Sequence, residues 1–145
     1  MKQSAEKELK EIKNWDVKDA HNLIERLRDM WEYKKYFIEK WGLDHIHKKR
    51  PVLWLELHTG GWSGNEDIIE ALQQNELFWW MWWWKTERGG HYYFEVDFSR
   101  IGFTPVSRFT KENKISRQYV YNAKAKFEWV KISHNKRLIR AVKEI

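Results

Sequence analysis

Acids and histidines able to do chemistry sit in two short stretches of this chain. Glu56 and His58 are two residues apart, and His91, Glu95 and Asp97 recur at even spacing, so each set would share one face of a strand. If those strands are neighbours, imidazole and carboxylate groups could meet in a metal or acid–base site. Neither stretch has a recognised spacing such as His-Glu-x-x-His, and polar residues on the open face of a sheet are common. The sequence therefore reads as that of a non-enzyme, with no catalytic residue, metal ligand or cofactor assigned. Gly60-Gly61-Trp62-Ser63-Gly64 leads towards a helix whose backbone N–H groups could meet an anion, but it lacks the lysine and spacing of a P-loop. Glu66 and Asp67 already complement the helix dipole, so a plain turn is expected. The absence of cysteine removes disulfide scaffolds, thiol catalysis and cysteine-based zinc sites.

A third group of residues suits recognition rather than catalysis. Arg117, Gln118 and Asn122 carry side chains that can make paired hydrogen bonds to base edges. They lie in the basic part of the chain: Ser99 to Ile145 has 12 Lys and Arg against 3 Asp and Glu, whereas Met1 to Phe98 is slightly acidic, 15 against 18. A concentration of positive charge attracts nucleic acid or another polyanion, although a solvated basic surface has the same composition. Met1 to Lys13 is rich in Lys and Glu, with no apolar segment resembling a secretory signal; a cytoplasmic protein with no membrane partner is expected.

The elements that position these residues can be read from periodicity. Ala5, Leu9 and Ile12 have helical spacing, and Asp16 is placed to cap a longer helix in which Ala20, Leu23, Leu27, Met30, Phe37 and Trp41 form an apolar stripe ending at Gly42. That stripe could face the core or a second copy of the chain. After Pro51, Leu53, Leu55 and Leu57 alternate with Val52, Trp54, Glu56 and His58, as in a half-buried strand. Ser63 and Glu66 have the spacing of a capping box for a helix carrying Ile68, Ile69, Ala71 and Leu72.

Phe78-Trp79-Trp80-Met81-Trp82-Trp83-Trp84 then holds five of the eleven tryptophans. The run is far shorter than the roughly 20 residues of a membrane-spanning helix. High β propensity predicts a central strand with Phe78, Trp80, Trp82 and Trp84 on one face. Arg88-Gly89-Gly90 supplies a turn, and residues 91–98 return as its partner, which makes the middle of the chain β-α-β-β. One face of the tryptophan strand could be covered by the basic C-terminal helices, or could meet a second copy of the chain, a partner protein or stacked bases.

Thr104-Pro105 is expected to start a short helix, and Ser116 to cap a second one in which Val120 and Ala123 face inward. Over residues 104–126, and most clearly in Ile115-Ser116-Arg117-Gln118-Tyr119-Val120-Tyr121, the chain resembles the helix-turn-helix module of small bacterial and phage DNA-binding regulators and resolvases. The resemblance implies DNA as partner, with Ser116, Arg117, Gln118, Tyr121 and Asn122 near the bases. The basic residues Lys111, Lys114, Lys124 and Lys126 would meet phosphates. Because such regulators often pair, a homodimer is also implied. Lys114 stands where such turns usually carry glycine, and a left-handed non-glycine residue costs roughly 1–2 kcal/mol. Thr110 replaces the small alanine often found where the two helices cross. Further along, Phe127 to Ile132 fits either a continuing helix or a strand, and Ser133 could cap a last helix through Leu138, Ile139, Val142 and Ile145. Such a helix would complete a trihelical core and leave Lys136, Arg137, Arg140 and Lys143 on its positive face.

The expected fold is α+β: a tryptophan-rich body over residues 1–98, with N-terminal helices on a small β-α-β-β sheet, and a basic helix-turn-helix-like region over 99–145. The expected function is that of a DNA-binding regulatory protein. The alternative is a protein-interaction module, such as a phage or mobile-element inhibitor of a host protein, using Trp62, Trp80, Trp82 and Trp84.

Overall fold

A computed structural model describes residues 2–142, with side chains from Ala5 onward. The chain is α+β, and among the described residues it forms helices with two antiparallel sheets. It divides into two compact units, Met1–Asp97 and Phe98–Ile145. No described helix is long and apolar enough to cross a membrane.

In the first unit, helices α1 (Lys2–Asn14) and α2 (Ala20–Met30) precede strands β1 (Phe37–Leu43) and β2 (Pro51–His58). Helices α3 (Ser63–Gln74) and α4 (Glu76–Trp82) follow, then strands β3 (Trp83–Glu87) and β4 (His91–Val96). The sheet order is β1-β2-β4-β3, so β2 and β4 are central. Leu53, Leu55 and Leu57 are buried on one face of β2, together with Phe94 and Val96 of β4. Ala20, Leu23, Ile24 and Leu27 of α2 and Ile68, Ile69 and Leu72 of α3 are buried with them in the core.

Three expectations change in this unit. The predicted helix across residues 16–41 ends at Met30, because Trp31 turns extended and buries its ring edge-on to Phe37, with centroids 6.0 Å apart. The Lys34 ammonium caps the carbonyls of Arg28 and Asp29. Beyond it, Phe37–Leu43 satisfies its backbone by pairing along β2, and Gly42 lies inside that strand rather than stopping a helix. A Cβ at Gly42 would come within 2.6 Å of the Trp54 indole nitrogen, so the glycine makes room for that ring. Asp16 does cap, but its carboxylate accepts from Lys18 N–H and opens a single 3₁₀ turn, Val17–Asp19, ahead of α2.

The second change concerns the tryptophan run, which is not a central strand. Phe78 to Trp82 are helical, and only Trp83 and Trp84 enter β3, at the edge of the sheet. The cause is Asn75, whose side-chain oxygen accepts from Phe78 N–H while its amide donates to the carbonyls of Ile12 and Trp15. Helical spacing then sends Phe78 and Trp82 inward together, both essentially fully buried.

The third is the Ser63–Glu66 capping box, since α3 already begins at Ser63. Asn65 instead turns inward, fully buried. It accepts from Glu32 N–H and donates to the carbonyls of Glu32 and Thr59.

In the second unit, strand β5 (Thr104–Pro105) leads into helix α5 (Val106–Asn113) and helix α6 (Arg117–Asn122), followed by strands β6 (Phe127–Ser133) and β7 (Lys136–Ala141). The sheet order is β5-β7-β6. Thr104 and Pro105 pair with Ile139 and Leu138, so they form a strand and do not begin the helix. The segment expected to be a third helix is also a strand. Both Leu138 and Ile139 are buried, as adjacent residues on opposite faces of a covered strand can be, and the core is helices on a sheet rather than trihelical. Val106, Val120 and Ile139 form its centre, with Phe109, Ile115, Phe127 and Trp129 around them. The residues expected to extend that last helix, Lys143 and Ile145, lie outside the described residues.

Asp44 organises the loop between β1 and β2. Its buried carboxylate accepts from the backbone N–H groups of Arg50, His47 and Lys49, each at 2.8 Å. These bonds, led by that from Arg50, hold its pKa well below the ordinary value of 3.8. A carboxyl depressed on folding contributes stability that is complete above the unfolded value and is lost as pH falls through the folded one. Asp44→Asn is therefore expected to lower stability by a constant amount above about pH 4, the difference shrinking only in stronger acid. Urea midpoints measured from pH 7 down to pH 2 check this; a difference that fades between pH 7 and 5 would contradict it.

Candidate functional site

The second unit places the expected recognition residues on one short helix. Ser116 Oγ accepts from Tyr119 N–H at 3.0 Å and starts α6, the cap expected from sequence. Lys114 does adopt the left-handed conformation, with φ 54° and ψ 43°, and the N–H groups of Lys114 and Ile115 both reach the Thr110 carbonyl. The chain thus reverses without glycine, and two end-of-helix hydrogen bonds with a half-buried Ile115 offset the left-handed cost.

Val120 is the residue of α6 that is buried. Arg117, Gln118, Tyr121 and Asn122, at positions i, i+1, i+4 and i+5, are exposed along one face. Gln118 donates to Asn122 across one helical turn at 3.4 Å. Lys111, Lys114, Lys124 and Lys126 are exposed on either side in sequence. Tyr121 also rests on Trp129, ring centroids 5.4 Å apart, which restricts it more than its neighbours. Arg140 does not join this positive set. It makes a two-pronged contact to Glu128, donates to the Ile101 carbonyl at 2.8 Å, and lies over the Phe103 ring.

In the first unit the strand register assembles the acids and histidines expected from sequence. On the sheet face away from Leu53, Leu55 and Leu57, His58 lies opposite His91, Glu56 opposite Tyr93, and Trp54 opposite Glu95. His58 Nδ1 and His91 Nδ1 are 2.7 Å apart, and Glu56 Oε2 is 3.5 Å from His58 Nε2. Glu95 is used by the loop, accepting from His45 N–H at 2.7 Å. Asp97 is drawn away to Arg50, at 2.9 Å. At the edge, Lys85 first and then the Tyr93 hydroxyl hold Glu87 below the usual carboxylate range, while burial and then Glu87 push Tyr93 up.

The four tryptophans of the alternative surface separate. Trp82 is 1 % exposed and belongs to the core, a correction that follows from the helical start of the run. Trp80 is 75 % exposed on α4, and Trp84 is stacked on the His45 ring at 3.8 Å with parallel planes. Trp62 joins a cluster that sequence reading missed: Tyr33 lies 5.2 Å from Trp62 and 5.9 Å from Tyr36, with Lys35 Nζ over both tyrosine rings. The signal was the pair of tyrosines flanking two lysines in Tyr33-Lys34-Lys35-Tyr36, hidden by assigning the segment to a helix.

No family model matches this chain, and neither a curated protein nor a solved structure matches it.

The Ser116 cap gives the first test of this geometry. Ser116→Ala is expected to destabilise the second unit by about 1 kcal/mol, with faster amide exchange at Tyr119. Unchanged exchange at Tyr119 would show that the cap does not hold the start of α6.

Proposed function

We propose that this chain is a non-catalytic DNA-binding regulatory protein whose second unit works as a helix-turn-helix, with α5 as the supporting helix and α6 as the one that meets the bases. The observation that carries this reading is the outward face of α6. Arg117, Gln118 and Asn122 remain exposed on a helix anchored through Val120. Side chains of these three types can read base edges in the major groove, at about 1–3 kcal/mol for a good paired contact. Lys111, Lys114, Lys124 and Lys126 supply the phosphate contacts, which give affinity and salt dependence without reading sequence. The left-handed Lys114 supports the same reading, because it makes the sharp reversal between the helices without glycine.

On this reading duplex DNA binds more tightly as salt is lowered. Arg117→Ala and Gln118→Ala each cost about 1–3 kcal/mol on a preferred sequence. Lys124→Ala and Lys126→Ala each reduce the salt slope by about one. Fluorescence anisotropy over a salt series measures both. No binding at low salt, or binding indifferent to Arg117→Ala and Gln118→Ala, overturns the proposal.

A second reading, a protein-interaction module that inhibits a host protein, is supported by the Tyr33–Tyr36–Trp62 cluster. Tyr33 has φ 63°, a strained conformation for an aromatic residue, and buried Asn65 fixes the adjoining backbone through Glu32 and Thr59. Trp62 is left 44 % exposed there. A nuclease-resistant, stoichiometric protein partner lost with Trp62→Ala but kept with Arg117→Ala favours this reading; one indifferent to Trp62→Ala removes the cluster from it.

A further inference from the structure

We propose that His58 and His91 form a binding site for a divalent transition-metal ion of the zinc and copper class, on the sheet face of the first unit. The two histidines lie directly opposite one another on the central strands β2 and β4. Their Nδ1 atoms converge to 2.7 Å, with the ring planes at 66°. Such a contact requires one nitrogen to carry a proton and the other a lone pair, so the two rings share one proton in a position that an ion can take.

The supporting groups favour that exchange. Glu56 Oε2 lies 3.5 Å from His58 Nε2, on the far side of the ring from His91. A carboxylate on that side favours the tautomer with the proton on Nε2, which turns the Nδ1 lone pair towards His91, and a carboxylate of this kind commonly orients a metal-bound histidine. For His91 the matching tautomer places its proton on Nε2. That atom lies beside Gly89, where a Cβ would stand 3.3 Å from it.

The fit in distance is close. Two imidazole nitrogens on a tetrahedral ion, each at about 2.0–2.1 Å, stand about 3.3 Å apart, so the rings need to separate by about 0.6 Å. The His58 side chain is 17 % exposed, so the pair is not sealed from solvent. Two imidazoles select zinc, copper or nickel over magnesium and calcium, which prefer oxygen ligands. Glu56 and Glu87, the latter in register with His91, add negative charge; Lys85 opposes it but is paired to Glu87 at 3.2 Å.

The test uses the full chain with copper(II) alone, and with zinc(II) in a parallel calorimetric titration. One saturable equivalent is expected, with electron paramagnetic resonance of the copper form showing coupling to two imidazole nitrogens. His58→Asn and His91→Asn are each expected to abolish that equivalent, and Glu56→Gln to weaken it about 10–100-fold. The exposed His47 and His134 serve as controls, since His47→Asn with His134→Asn should leave the signal unchanged. Circular dichroism verifies folding of each variant, and Glu56→Gln, which keeps both imidazoles, reports on the site where a histidine variant unfolds. No saturable binding to the native chain, or a signal that persists in both His58→Asn and His91→Asn, overturns the proposal. Neither result bears on DNA binding through α6.

Discussion

The buried side chain of Asn75 ties the aromatic segment of the first unit to the end of α1. One amide joins two distant pieces of chain: its oxygen receives Phe78 N–H at the start of α4, and its nitrogen donates to the Ile12 and Trp15 carbonyls where α1 ends. A buried polar group of this kind is costly unless every partner is in place, so it favours one arrangement over its competitors. Here the competitor is a seven-residue aromatic strand. With Asn75 satisfied, helix wins through Trp82, the core receives Phe78 and Trp82 side by side, and β3 is left short and at the edge.

This explains which parts of the fold were legible in sequence. The β2 alternation was legible because Leu53, Leu55 and Leu57 share one face while Glu56 and His58 lie on the other with Val52 and Trp54, and the register then brought Glu56, His58, His91 and Glu95 to the same face as their spacing suggested. The Ser116 cap was legible because it acts within three residues. The tryptophan run was not, since a segment apolar on all sides has no period and the hydrogen bonds that bury Asn75 reach sixty residues or more along the chain. Strand β1 failed for a related reason. Phe37 and Trp41 happen to continue a helical stripe, while the interaction that separates them from α2 is the burial of Trp31 and the pairing with β2.

The two units reach their surfaces by different means. The first carries its polar groups on a rigid sheet face, where strand register fixes which side chains meet. In the second, a small core around Val106, Val120 and Ile139 anchors α6 by a single valine and leaves the rest of that helix to solvent. Arg140, by contrast, is spent internally on Glu128 and Ile101, which shows that basic composition alone overstates the charge available to a partner.

The irregular register of β3 at Trp84 has a consequence for how this protein behaves when concentrated. An outer strand with free backbone groups invites another chain to add on, and here it adjoins the most aromatic stretch of the sequence. The extra residue between Trp83 and Lys85 bends that strand, and Lys85 and Glu87 place charges along it. The bulge and these charges make this edge a poor template for growth into filaments, although Trp83 and Trp84 stand exposed along it.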